Sequence, residues 1–339
     1  MTYALKPEAI QQLDAYIAEV KKINGASGSE RAFTVNPTVA QNIELKTQES
    51  SHFLSLINIV RVDEQAGEKI GIGVNQPIAY RTTGMREPVD PTVLDSSGYV
   101  CRKTDFDTHI TYQHLDQWAK SPNFQQLIRD AILGQIARNR IMIGWNGTSA
   151  ADTTNRTVNP RLQDVNIGWI QKLRLAAPGR VMSEAIHGTG KVRIGLTGDY
   201  VDLDALVFDL LNNIIDPWHR NAFEALGFVA VMSRDLNADR LFPLVQTVNP
   251  PSELMAADVI IRSGKAGGLP VIQVPYFPPN SLLITPLKNL SIYWQNGTRR
   301  RRIVDNPARD RIEDYQSVNE AYVIEDMGQC AFVENIQFV

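Results

Sequence analysis

Four consecutive arginines, Arg299 to Arg302, are the one conspicuous run of charge in this 339-residue sequence. Guanidinium groups in such a run can bind phosphates, or they can pair bidentately with carboxylates. Asp305, Asp310, Glu313 and Asp314 follow closely, so ion pairing within or between subunits is the stronger expectation and a nucleic-acid stripe the weaker one. Other chemistry is mostly excluded by spacing. The five histidines, His52, His109, His114, His187 and His219, show no pattern that sets two ligands on one helical face, and read as isolated side chains. Gly71-Ile72-Gly73 has Gln76 where a dinucleotide fingerprint needs its third glycine, and Pro77 blocks the helix that would receive a pyrophosphate. Gly190-Lys191 and Gly264-Lys265 resemble pieces of a phosphate loop, but Val192 and Ala266 replace the magnesium-binding hydroxyl. No Gly-x-Ser-x-Gly elbow occurs. Asp202, Asp204 and Asp209 read as solvated acids on or beside a helix. The expectation is therefore no catalytic residue, no cofactor and no metal.

The elements that would position these residues follow from composition and period. Hydrophobic residues at 43% and charged residues at 21% describe a folded chain, and 339 residues exceed a usual single domain. The net charge of −3 exerts no overall pull on polyanions or anionic membranes. Cys101 and Cys330 suit neither a disulfide framework nor a zinc site. The N-terminal stretch, carrying Lys6, Glu8, Asp14 and Glu19, is neither a signal peptide nor a span. Instead Ile10, Leu13, Tyr16, Ile17 and Val20 recur at helical spacing, followed by a small, polar tether from Gly25 to Asn36. Asn36-Pro37 opens a second helical segment running toward Phe53. From Val60 to Ile110, glycines and prolines break the chain into short extended pieces, an excursion whose packing partner is expected on another subunit. Ser121-Pro122 starts a helix of about 20 residues. Shorter helices are expected over Leu162 to Leu173 and Asp202 to Ile214, with Asp199 or Asp202 as cap. Phe228 to Met232 reads as a buried strand, and Ser233 begins a polar helix. Strands follow at Leu269 to Phe277, Leu282 to Ile284, Leu290 to Trp294, Tyr322 to Ile324 and Ala331 to Phe338.

Seven stretches stand out in order: Thr47 to Leu54 with Ile57 to Val60, Gly67 to Val74, Asn159 to Trp169, Asp199 to Val207, Met255 to Ile261, Leu269-Pro270 with Pro275 to Pro278, and Asn289 to Tyr293. Together they resemble the major capsid proteins of P2-like tailed bacteriophages. The resemblance spans nearly the whole chain, with no catalytic signature in any stretch. It implies an α+β, HK97-type capsid fold. Residues 1–59 would form the N-terminal helix, tether and arm, 60–111 an extended loop over a neighbour, 112–199 a peripheral domain with a long spine helix, 200–281 an axial domain, and 282–339 the return strands of the peripheral domain. The implied role is a non-enzymatic subunit that assembles into pentamers and hexamers around double-stranded DNA in the host cytoplasm and touches that DNA only weakly. Implied partners are scaffolding protein, portal and a maturation protease acting at the tether. Arg299, Arg300, Arg301 and Arg302, with Lys69, Arg81 and Arg86 of the excursion, are the expected intersubunit contacts. Lys69 and Asn75 by themselves give no sign of an isopeptide bond. Two other classes remain: an enzyme or nucleic-acid-binding protein, which would stay a small oligomer, and a tail or portal part, which would form tubes or open rings.

Overall fold

A computed structural model of the chain describes residues 10, 11, 14, 15, 18, 33–35, 37–71, 79, 81–86, 93–118, 124–221, 226–246 and 264–339. The expected first helix is described at only five positions, 10, 11, 14, 15 and 18, which are helical. Asn36, Gly73 to Pro77, Ser121-Pro122 and Met255 to Ile261 lie outside the described residues. The chain divides into two compact units. One comprises Met1–Gly67, Val100–Ile141 and Ile292–Ala321, the other Glu68–Tyr99, Met142–Ser291 and Tyr322–Val339.

The first unit is organised by a seven-stranded sheet ordered Phe33–Thr34, Arg300–Asn306, Arg311–Ile324, Leu290–Gln295, Asn58–Val62, with Arg102–Asp105 and Thr108–Thr111 also laid on Arg311–Ile324. Only the last three residues of that 14-residue strand were expected to be extended. Its earlier part is rich in charge, which hides the alternation that marks a half-buried strand. The tether reading is also corrected at its end. Phe33 and Thr34 pair with Arg301 and Arg300, and the buried Val35 amide donates to the Arg299 carbonyl at 2.9 Å. The long helix Phe124–Asn146 has 23 residues, about 34 Å at the standard rise. Ile136 from this helix, Val35 and Ala40 from the arm, and Phe106, Trp294 and Val318 from the sheet side form one apolar cluster.

The second unit contains a mixed six-stranded sheet ordered Lys265–Ala266, Leu269–Gln273, Phe228–Met232, Leu282–Pro286, Ala331–Val333, Val181–Met182. Leu269–Gln273 runs parallel to Phe228–Met232, which requires a crossover, and the helix Arg234–Gln246 lies within it. The helix Leu203–Asn213 buries Leu203, Leu206, Val207, Leu210 and Leu211 against this sheet's core; each such side chain removed from water contributes about 2 kcal/mol before entropy is subtracted. The helix expected from Leu162 begins instead at Trp169 and ends at Ala176. Leu162 is left-handed at φ 57, and the Gln163 carbonyl accepts the Thr148 and Ser149 amides, folding this segment back as a loop. Asn335, at φ 60, likewise splits the expected final strand into Ala331–Val333 and Ile336–Phe338, which enter different sheets. Within the excursion, Ala66–Gly71 and Val93–Val100 form a separate two-stranded ribbon.

Candidate assembly surfaces

Strand alternation splits the arginine run. Arg300–Asn306 is extended, so successive side chains leave on opposite faces. Arg301 turns to the adjacent strand and holds Asp314 bidentately, at 3.0 and 2.7 Å. Arg299, just ahead of the strand, is buried and pairs with Glu44 of the arm helix Pro37–Glu49. Arg300 and Arg302 are exposed, and among the described residues neither has an ion-pair partner. Three of the carboxylates downstream of the run, Asp305, Glu313 and Asp314, are used within the subunit. Arg311 bonds Glu313 at 2.7 Å, and the Tyr112 hydroxyl donates to Asp305. The hydrogen bond from Tyr315, reinforced by Arg311, holds the Glu313 carboxyl at about 2.

Besides Arg301, which Asp314 holds, two more of the expected contact residues are spent inside the subunit. Lys69 is 5% exposed and donates to the Ile324 carbonyl at 2.7 Å, and Arg299 is 6% exposed. A cation so placed cannot reach a neighbour without leaving its own partner, so both are removed from the outward set. Arg81 and Arg86 are exposed.

The phosphate-loop fragments are closed by the protein's own carboxylates. Glu184 accepts the Gly188 and Gly190 amides, each at 2.9 Å, so its carboxylate occupies the place an anion would take there. Asp204 accepts the Gly267 amide and is held by Arg240 at 3.0 Å. Asp209 accepts the Tyr200 hydroxyl at 2.6 Å, and Asp202 caps its helix through the Ala205 amide at 2.7 Å. The expected cap at Asp202 is thus present, whereas Asp204 and Asp209, read as solvated, are hydrogen-bonded to neighbouring segments; residue type and spacing do not disclose those partners. His219 is also not isolated, because its Nε2 lies 2.9 Å from Asp326. His109 and His114 border an apolar groove with Ile128 and Ile132. Among the described residues no three His, Cys, Asp or Glu groups converge as a metal site, and no helix is long and apolar enough to cross a membrane.

The geometry therefore offers outward cations and an extended ribbon. Comparison with known proteins gives these surfaces their context. Residues 12–336 match the family described as phage major capsid protein, P2 family. The capsid proteins of Escherichia phage P2 are 44% identical over 98% of this chain and 96% of that one. The major capsid protein of Serratia phage KSP20 is 41% identical, covering 96% and 95%. A chain of the solved satellite phage P4 procapsid including size determination (Sid) protein is similar at a TM-score of 0.82 and 42% identity, over 99% of both chains. The capsid of an empty GTA particle, at 13% identity and a TM-score of 0.51 over 85% and 90% of the two chains, shares the fold alone. Matched over nearly its full length by shell proteins, the chain belongs to the P2 family of phage major capsid proteins: it is a structural component of the virion, with the HK97-type α+β fold.

Proposed function

We propose that the subunits close into pentamers and hexamers through ionic contacts made by Arg300 and Arg302, with Arg81 and Arg86 contributing from the excursion. The observation that carries this reading is the division of one arginine run into two buried or partly buried guanidinia with carboxylates of their own and two exposed ones without an ion-pair partner among the described residues. A guanidinium that contact with a neighbour desolvates needs a carboxylate, and a neighbouring copy supplies carboxylates in a shell of identical chains. Residues 1–59 serve as arm, 60–111 carry the extended loop over a neighbour, with the ends of that segment, at Asn58–Val62, Arg102–Asp105 and Thr108–Thr111, tied into the subunit's own sheet; 112–199 and 282–339 serve as the peripheral domain, and 200–281 as the axial domain. The ribbon Ala66–Gly71 with Val93–Val100 supports the extended-loop role. Assembly in the host cytoplasm with scaffolding protein and portal, trimming by a maturation protease, and weak contact with double-stranded DNA complete the reading, and the net charge of −3 supports that weakness. The P4 procapsid includes a size determination protein, which makes an equivalent size-setting partner reasonable here. The subunit itself performs no catalysis.

The test is expression of full-length Arg300→Ala/Arg302→Ala beside Arg301→Ala, followed by negative-stain microscopy and sedimentation. The double variant should fold with an unchanged melt yet fail to close shells. Arg301→Ala should lower subunit stability instead. Normal shells from the double variant at every salt concentration would overturn the assignment.

A further inference from the structure

Behind the arginine run lies a cluster of four buried charges. Glu44 is 4% exposed, Arg140 and Glu320 are 0%, and Arg299 is 6%. Arg140, on the long helix, bridges two carboxylates. Its Nη1 and Nη2 donate to Glu44 at 2.6 and 3.0 Å, and its Nε donates to Glu320 at 2.9 Å. Arg299 adds a second guanidinium to Glu44. With all four ionised the cluster is neutral.

The arm helix is held by this cluster together with the apolar contacts of Val39, Ala40 and Ile43. Its fully buried stripe is only Ala40, Glu44 and Thr47, and the Thr47 hydroxyl turns back to the Ile43 carbonyl of the same helix. The one charged group that the arm helix sends inward is thus the Glu44 carboxylate. The charged groups facing it come from every element around it: Arg140 from the long helix, Glu320 from Arg311–Ile324, and Arg299 from the turn before Arg300–Asn306. Arg102, across the ladder from Glu320, is exposed.

We propose that this cluster is a proton-dependent latch on the arm helix Pro37–Glu49, with Glu320 as the member that takes up the first proton. The two carboxylates are not equivalent. Glu44 is gripped by two guanidinia, while Arg140 bonds Glu320 and is shared with Glu44. Burial raises the Glu320 carboxyl more than Arg140 lowers it. Burial also raises Glu44, but Arg140 and Arg299 together overcome this and hold it below the usual carboxylate range. A proton on Glu320 frees Arg140 from its competing partner and leaves Glu44 as the sole anion for two buried cations, which tightens the arm. A group whose folded pKa is raised stabilises below its unfolded value and loses that contribution as pH rises; a depressed one loses its contribution as pH falls. Attachment of the arm therefore peaks in mild acid, above the point at which Glu44 protonates.

Hydrogen exchange of the full-length protein between about pH 8 and pH 4, corrected for intrinsic rates, tests this. Peptides from Pro37–Glu49 should gain protection on mild acidification, by up to about tenfold per pH unit, and then lose it at lower pH. Peptides from Leu282–Pro286 serve as a control for global opening. Glu320→Gln should abolish the rise and keep the later loss, and Glu44→Gln should leave the arm weakly protected throughout. A wild-type arm whose protection is flat, or falls steadily from neutral pH, overturns the proposal, as does a Glu320→Gln profile matching wild type. Should a variant fail to fold, the wild-type profile alone decides.

Discussion

Two glycines ten residues apart on the long helix Phe124–Asn146 should respond in opposite directions to the same change. Alanine in a helix interior is worth about 1 kcal/mol over glycine. At Gly134 a Cβ would meet nothing within 4 Å, so Gly134→Ala should gain close to that full amount. At Gly144 the same Cβ would fall 2.2 Å from Cζ3 of Trp169 and 2.6 Å from its Cη2, whereas ordinary contact begins near 3.4 Å. The ring would have to move by more than an ångström, and it is fully buried. Its Nε1 donates to the Ser291 carbonyl at 3.0 Å, and its faces meet Trp145 and Tyr322 edge-on at centroid distances of 4.9 and 5.4 Å. An approach this close to a locked ring puts the overpacking cost in the upper part of its range, about 2–3 kcal/mol, so after the helical gain Gly144→Ala should destabilise by about 1–2 kcal/mol net. Urea unfolding of unassembled subunits, read by tryptophan fluorescence, should move the midpoint up for Gly134→Ala and down for Gly144→Ala. A Gly144→Ala subunit as stable as wild type would refute the claim that the Trp169 ring is locked in place.

Removing the cap with Asp202→Ala should cost about 1 kcal/mol, measured in the same unfolding assay, while Asp202→Asn should cost much less because its oxygen still accepts the Ala205 amide. Cys101 and Cys330 are both 0% exposed, and burial pushes the Cys330 thiol up to about 11. Neither should react with a thiol reagent near pH 8 until urea unfolds the chain, and rapid native labelling would contradict their burial. The Glu313 carboxyl, lowered from 4.5 to about 2, contributes stability above about pH 4.5 that is lost as pH falls toward 2. Glu313→Gln should flatten acid unfolding over that window, and an unchanged acid limb would show that the Tyr315 and Arg311 bonds carry no linkage.

What could be read from residue order was local. Helical period placed the long helix and Leu203–Asn213, because their apolar residues recur toward a core, and the apolar run Phe228–Met232 marked a central strand for the same reason. Glycine and proline spacing located the ribbon of the excursion. Order along the chain also assembled enough stretches in sequence to suggest the capsid family.

Tertiary structure decided where charge goes. Nothing in the run Arg299 to Arg302 says which guanidinia are spent, because Glu44 lies 255 residues from Arg299 and Glu320 lies 180 from Arg140. The buried partners of Lys69, Arg140 and Glu320 come from strands and helices that meet only in the folded subunit. Charged residues read as solvent-facing by default, since burying one is costly unless a distant partner compensates it, and a pairing made by long-range contact leaves no period in the sequence. Apolar spacing thus determined the elements, and packing of remote segments determined which charges hold the subunit together and which remain outside.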